Sequence, residues 1–223
     1  MNCAGKGTRL GFGHPKCLID VHGEPLIGRQ LACLREVDDV RVVVGFQAQR
    51  VIDTVLRYRR DVVFVFNHDY AHTNALASLC MGARHGRPWV LSLDGDLLVH
   101  PQDLARALAT DGEWLALGEV ITDEPVFVHT DERDGATELG GTFVTAFSRT
   151  ERTPYEWTGL TQVRAERLLG EREALSHVFH CLERYLPLPA ISIRSREVDT
   201  LDDYQALLDW SAPFYAATGG TRS

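Results

Sequence analysis

The chain has 223 residues, a formal net charge of −8 and 24% charged residues. Such an acidic chain lacks the broad positive surface that non-specific binding to nucleic acid or anionic membrane requires, so neither is expected as a partner. Its 44% hydrophobic content suits a globular domain with a full core. The length fits one domain, expected over 1–215 with a flexible tail at 216–223. No apolar run reaches membrane-spanning length. The five cysteines are odd in number and none forms a C-x-x-C pair, which points to reduced thiols in a cytoplasmic protein.

The first feature along the chain is "NCAGKGTRLGFGHPKCL" at 2–18. Only residues 1–4 precede its glycines, so the first strand is short or begins upstream. Successive backbone N–H groups beside glycine can curl into an anion-binding nest, and Gly5 and Gly7 permit close approach. Thr8 adds a hydroxyl, while Arg9 and Lys16 add cations of different shape. Together they read as a polyphosphate cradle at the carboxyl end of a strand, where open α/β sheets bind ligands. It is not a P-loop, because G-x-x-x-x-G-K-[ST] is absent. In "GKGTRLG" the third glycine falls one residue too late for a dinucleotide fingerprint.

Helical patterns at 25–37, 48–60, 74–86 and 100–109 alternate with apolar β-branched runs at 40–46, 62–66 and 89–93. The runs read as buried strands. Their alternation with helices predicts an α/β, Rossmann-like domain whose mostly parallel central sheet is flanked by helices. Beyond residue 112, strands at 113–121, 125–130 and 142–148, with a turn-rich connection at 131–141, are expected as antiparallel additions in the second half. Residues 160–185 read as helical, 190–193 as a strand and 201–212 as a closing helix.

"WVLSLDGDLLVHP" sets Asp94 and Asp96 directly after a buried strand. Two carboxylates there are unfavourable without a cation. Mg²⁺ suits them, because it takes few protein carboxylates and completes its shell with phosphate oxygens and water. In "REVDTLDDY" Glu197 and Asp199 lie two apart in an extended stretch and share a face, although Asp199 or Thr200 could equally cap the helix that follows. The pairs His68/His72 and His177/His180 have metal-like spacing without a third ligand, and are not read as metal sites.

The run A-G-x-G-T-R-L followed by P-K, carried by Ala4, Gly5, Gly7, Thr8, Arg9, Leu10, Pro15 and Lys16, resembles the opening of nucleotidyltransferases that join an NTP to a sugar phosphate or alcohol phosphate. The likeness continues through "PKCLIDVHGEPLIGRQLACL" at 15–34. Asn67, Tyr70, Thr73, Asn74, Ser78, Leu79 and Ala83 resemble the branch typified by CTP:phosphocholine and inositol-phosphate cytidylyltransferases. The resemblance implies Mg²⁺-dependent transfer of CMP from CTP to a small phosphorylated alcohol or phosphonate, with release of pyrophosphate. It implies that Ala4, Gly5, Lys6, Gly7, Thr8, Asn74, Ser78 and Asp94 bind the nucleotide. Lys16 would act catalytically on the α-phosphate and Arg9 on the leaving pyrophosphate. Asp96, Asp199 and Glu197 would bind the metal, and Tyr155 and Trp157 would face the acceptor. A sugar-1-phosphate nucleotidyltransferase using UTP or dTTP, and a non-catalytic nucleotide-sensing subunit, are the alternatives. A homo-oligomer is compatible with each.

Overall fold

A computed structural model describes residues 1–7, 11–133, 141–169 and 177–215. The expected tail at 216–223 lies outside them. Strand β1 (Asn2–Cys3) leads into the glycine loop, and a 3-10 turn over Lys16–Leu18 follows it. A small hairpin, β2 (Asp20–Val21) and β3 (Glu24–Pro25), turns at His22 and Gly23, both at positive φ. Helix α1 (Leu26–Cys33) then precedes β4 (Val40–Val44), α2 (Ala48–Tyr58) and β5 (Val62–Phe66). In α2 the i, i+4 pair Val51 and Val55 is fully buried, while Arg50, Asp53 and Arg57 face outward, the split an amphipathic helix needs. Helix α3 (Ala75–Ala83) begins where the Asn74 side chain accepts the Ala77 N–H.

The chain continues through β6 (Trp89–Ser92), the short β7 (Leu97–Val99) and α4 (Pro101–Leu108). Then come β8 (Trp114–Glu119), β9 (Phe127–Glu132), β10 (Thr142–Ser148) and β11 (Tyr155–Arg164). The last elements are α5 (Ala165–Leu169), α6 (Val178–Leu182), β12 (Leu188–Ser192), β13 (Ser195–Glu197) and α7 (Leu201–Tyr215).

Strands β5, β4 and β1 pair in parallel, and β6, β11, β8, β12, β10 and β9 follow one another in a second ladder. The two ladders join where Asn2 bridges Asp94 in parallel sense and its N–H donates to the Leu93 carbonyl. Within this joined sheet β10 and β11 run against the other strands. The result is the α/β, Rossmann-like arrangement with its antiparallel pairings in the second half. The carboxyl ends of β1 and β6 meet at its centre. One core cluster, including Val42, Val44, Leu93, Trp114 and Leu160, runs from α1 and α2 to the sheet.

One sequence expectation is corrected. Residues 160–185 are not continuously helical: β11 runs to Arg164, and helix begins only at Ala165. "TQVR" has good helix formers, but its backbone pairs with β6 on one side and β8 on the other, and that tertiary pairing overrides local propensity. Part of the expected helix, 170–176, lies outside the described residues, as does 134–140 of the turn-rich connection. β9 extends into that connection as far as Glu132.

Helix α4 is tied to the chain between β12 and β13 through Asp103. Its buried carboxylate accepts the Arg194 backbone N–H at 2.9 Å, Nε at 2.8 Å and Nη2 at 3.2 Å. Burial opposes ionisation of Asp103, but the hydrogen bonds and charge of Arg194 outweigh it and hold the carboxyl below the usual range. A depressed folded-state pKa gives stability that is full above the unfolded value, about 3.9, and is lost as pH falls through the lower folded value. Asp103→Asn is therefore expected to cost about 1–3 kcal/mol at neutral pH, with the gap from wild type closing in acid. Urea unfolding of both proteins across that range measures it; a gap that stays constant into acid refutes the assignment.

Candidate active site

The site is assembled by a two-stranded ribbon. β7 pairs antiparallel with β13, setting Leu97 opposite Glu197 and Val99 opposite Ser195. One step further the Val198 N–H donates to the Asp96 carbonyl at 3.1 Å. Asp96, Glu197 and Asp199 thus come together, each with a carboxylate oxygen within 4.8 Å of the others. Val198, between the two later acids, turns inward and is fully buried.

The cap of α7 does not use the Asp199 carboxylate, which faces this cluster. Thr200 Oγ1 accepts the Asp203 N–H, and the Asp203 carboxylate accepts from the Thr200 N–H and hydroxyl and from the Asp199 N–H. This reciprocal capping arrangement gives the terminal role to Thr200 and Asp203.

Lys16 reaches the cluster from the far end of the glycine loop. Its ammonium donates to Asp96 Oδ2 at 2.9 Å and also to Asp199 Oδ1. Burial alone would lower the Lys16 pKa, but Asp96 and Asp199 outweigh it and hold it above the ordinary lysine value. Around this one ammonium stand four carboxylates. Burial, then the charge of Asp96, pushes Asp94 up to about 7. Burial, then the charges of Asp96, Asp199 and Asp94, pushes Glu197 up to about 8. The cluster is thus short of positive charge, and its donors are all hard oxygens, which fits Mg²⁺.

Two glycines allow this approach. Gly7 has φ +58°, and a Cβ there would stand 2.7 Å from Lys16 Cγ, so a side chain would both strain the backbone and displace the lysine stem. At Gly95 a Cβ would meet the Asn2 carbonyl at 2.9 Å and Cys3 Sγ at 2.8 Å. Its own N–H donates to that carbonyl at 2.9 Å, which locks the Asp94–Asp96 turn against β1. The cavity here, about 220 Å³, is lined by Gly5, Gly7, Lys16, Asp96 and Asp199 among others. Ala4 is buried beneath it, its carbonyl accepting the Phe46 N–H. The Lys6 ammonium lies 5.8 Å from the centre of the Tyr70 ring. Thr8 and Arg9 lie outside the described residues.

A second cavity of about 170 Å³ opens beside the cluster, with Asp94, Glu156, Trp157 and Glu197 in its wall. β11 shifts register between Trp157 and Thr161, and such a bulge re-aims side chains. Trp157, Thr158 and Gly159 line the cavity there. The Glu156 carboxylate accepts the Ile121 N–H and the Thr122 hydroxyl. Trp157 Nε1 is buried with no hydrogen-bond partner among the described residues. Tyr155, two residues earlier, is exposed and is not part of this wall.

Asn74 and Ser78 are not among the residues lining either cavity. Asn74 caps α3. Ser78 is buried and accepts from Asn67 Nδ2, which also donates to Thr73 Oγ1. Here these residues shape the Asn67–Ser78 segment behind the glycine loop.

Sequence reasoning missed Gln30. This buried residue of α1 donates Nε2 to the carbonyls of Asp94 and Leu97, both at 2.7 Å, and so clamps the turn that carries Asp96. Its Oε1 has no partner among the described residues. A signal was present: Gln30 falls on the apolar stripe Ile27, Leu31, Leu34, where an unexplained amide stands out.

A glycine loop and a lysine ringed by strand-end carboxylates at the carboxyl ends of a Rossmann-like sheet are the features of a nucleotidyltransferase domain. Residues 3–153 match the model of the MobA-like NTP transferase domain, and the chain belongs to that family. It is similar in structure to CTP:phosphocholine cytidylyltransferase from Streptococcus pneumoniae (TM-score 0.67, 20% identity, covering 94% of this chain and 96% of that one). It is likewise similar to the inositol-1-phosphate CTP transferase from T. maritima (TM-score 0.72, 16% identity, 95% and 94%). UDP-glucose pyrophosphorylase from Acinetobacter baumanii also shares the fold (TM-score 0.72, 13% identity, 98% and 94%). Among curated proteins it is 30% identical to the bifunctional protein GlmU of Neisseria meningitidis serogroup C over 135 residues, 59% of this chain and 29% of that protein. The chain thus spans less than a third of the curated relatives' length. Among the described residues no helix is long and apolar enough to cross a membrane.

Replacing Gln30 by Leu removes both clamps on the turn. For a divalent cation held by Asp96, the expected outcome is a 10- to 100-fold loss of affinity and so a higher half-saturating concentration, roughly the effect of losing a partner behind a metal ligand. The half-saturating Mg²⁺ concentration for pyrophosphate release, read with thermal stability as control, measures it. An unchanged Mg²⁺ requirement refutes the clamp.

Proposed function

We propose that the protein is a Mg²⁺-dependent nucleotidyltransferase that moves CMP from CTP onto a small phosphorylated alcohol or a phosphonate and releases pyrophosphate. The observation that carries the reading is the Lys16 ammonium shared between Asp96 and Asp199 under the Gly5–Gly7 loop. In this reading an oxygen of the acceptor phosphate attacks the α-phosphorus of the NTP. The bond from that phosphorus to its bridging oxygen breaks, and the electron pair leaves with pyrophosphate. The acceptor oxygen is already ionised, so no protein nucleophile is needed.

The chain's own residues orient and neutralise. Backbone N–H groups of residues 4–7 meet the triphosphate, Lys16 meets charge gathering on the α-phosphate, and Arg9 meets the leaving pyrophosphate. Asp96, Asp199 and Glu197 would hold Mg²⁺, which supplies charge neutralisation at the phosphate oxygens. Positioning and electrostatic stabilisation then carry the rate.

The nucleotide preference rests on the resemblance of the Asn67, Tyr70, Thr73, Asn74 and Ser78 pattern to the cytidylyltransferase branch, not on contacts of Asn74 or Ser78 with either cavity, and on the likeness to two CTP-dependent enzymes. The acceptor wall adds chemistry. Asp94, Glu124, Glu156 and Glu197 line the cavity together with Trp157, and neither lysine nor arginine lines it among the described residues. An acidic wall beside an indole suits an acceptor bearing an ammonium group, such as a choline phosphate or an aminoalkyl phosphonate. A sugar-1-phosphate transferase using UTP or dTTP is the second reading, favoured by the likeness to UDP-glucose pyrophosphorylase.

A pyrophosphate-release screen with Mg²⁺, crossing CTP, UTP, dTTP, ATP and GTP with choline phosphate, inositol phosphate, hexose phosphates and phosphonates, tests this. Turnover is expected with CTP and an ammonium-bearing acceptor, and Asp96→Ala is expected to lower it roughly 100-fold or more. Turnover with UTP and a hexose phosphate but none with CTP supports the second reading. No release from any pair, with nucleotide still bound, supports a non-catalytic sensor.

A further inference from the structure

"VVFVF" reads as a central strand, apolar on both faces, yet the structure sets it at an edge. β5 pairs with β4 on one side, and no described strand pairs with its other side. Val63 is 49% exposed and Phe66 48%, and the three residues between and before them are half-buried. Natural edge strands are blunted by lysine, proline, a bulge or a covering element. β5 has no such charge or proline, and its pairing with β4 keeps one register over all five residues. Leu56 and Tyr58, at the end of the helix leading into it, are exposed as well.

We propose that β5 pairs antiparallel with β5 of a second copy of this chain, across a two-fold axis at Phe64. A two-fold pair must set side chains of one sheet face opposite each other, so the axis passes through a residue. With Phe64 at the axis, Val62 stands opposite Phe66 and Val63 opposite Val65. All five apolar residues are covered and none meets a charge. Beyond them Asp61 faces Asn67, and the exposed Arg60 faces the exposed His68 with Asp69 beside it. Moving the axis to Val65 sets Asp61 against Asp69, a like-charge pair that opposes association. Moving it to Val63 sets Phe66 against Arg60. The charges flanking the strand therefore select the register that also buries the most apolar surface. The fit is to the chain's own copy: the same register sets Arg59 opposite Asp69 on both flanks of the two-fold axis, an opposite-charge pairing that a strand from a different protein would not return.

The test is sedimentation equilibrium of the full chain from low micromolar to several hundred micromolar, beside Val63→Lys. Val63 is half exposed, so the lysine is tolerated in the single chain. Wild type is expected to form a dimer, and Val63→Lys to raise its dissociation constant roughly 30-fold or more with an unchanged melting temperature. In a second variant, Phe64→Cys, mild oxidation with oxidised glutathione is expected to join two copies through Cys at the axis, with glutathione reduced. A wild-type chain that stays monomeric throughout overturns the proposal. So does a dimer that Val63→Lys leaves intact, which would place the interface elsewhere. This outcome is independent of nucleotide transfer, so failure here leaves the catalytic reading standing and the reverse also holds.

Discussion

The site depends on one long-range pairing. Leu97–Val99 and Ser195–Glu197 lie about a hundred residues apart and meet in a ribbon of three residues on each side. Closing a loop of that length costs on the order of 4 kcal/mol in chain entropy, more than so few ladder hydrogen bonds supply. The difference comes from beneath the ribbon. Leu98 and Val198 are buried with Ile19, Val21, Leu26 and Leu207, and each such side chain contributes roughly 1.5–3 kcal/mol on leaving water. The β2–β3 hairpin, α1, the ribbon and α7 therefore share a small core whose upper edge carries Asp96, Glu197 and Asp199. Apolar packing holds three acids where their mutual repulsion alone would separate them.

That repulsion is only partly offset, and it shows in the raised pKa values of Asp94 and Glu197. Lys16 supplies one positive charge to a group of four carboxylates, and the glycines at 7 and 95 let backbone, lysine stem and acidic turn approach where side chains would block them. A cluster stabilised entirely by its own ion pairs would have little reason to take another cation. A cluster with excess negative charge does, and a cation that arrives with phosphate oxygens brings its own counter-ligands. Sites that store such strain are commonly less stable than the fold could make them.

The parts legible in the sequence were those with local signatures. The glycine loop, the acids directly after β6 and the Glu197–Thr200 stretch each fit within a few residues, and strand–helix alternation through residue 109 gave the parallel half. The parts that were not legible depend on partners far away. β7 is three residues long and has no pattern of its own; it is a strand because β13 lies beside it. "TQVRAERLLG" has the composition of a helix, and pairing with β6 and β8 draws its first residues into a strand. The pairing of Thr200 with Asp203 over the start of α7 decided a question that spacing left open, namely whether Asp199 serves the helix or the site. Asn74 shows the converse: a residue that fits a family pattern also makes an ordinary helix cap.

The division of labour along the chain bears on which part of the function its relatives can inform. The MobA-like match covers residues 3–153, which include the glycine loop, Lys16 and Asp96. It stops before Trp157 on the β11 bulge and before Glu197 and Asp199. The first stretch holds the glycine loop, Lys16 and one side of the adjoining cavity's wall, including Asp94, and the second completes both the acidic cluster and that wall. Structural neighbours cover both stretches, but at 20% identity or less they carry the fold and not the pocket. In the proposed reading acceptor choice falls to that cavity, whose wall joins Glu156 and Trp157, beyond the family match, to Asp94, within it. An acceptor that brings positive charge to that wall would offset the same excess of carboxylate that Lys16 meets on the other side, so both substrates would be recognised through one electrostatic feature.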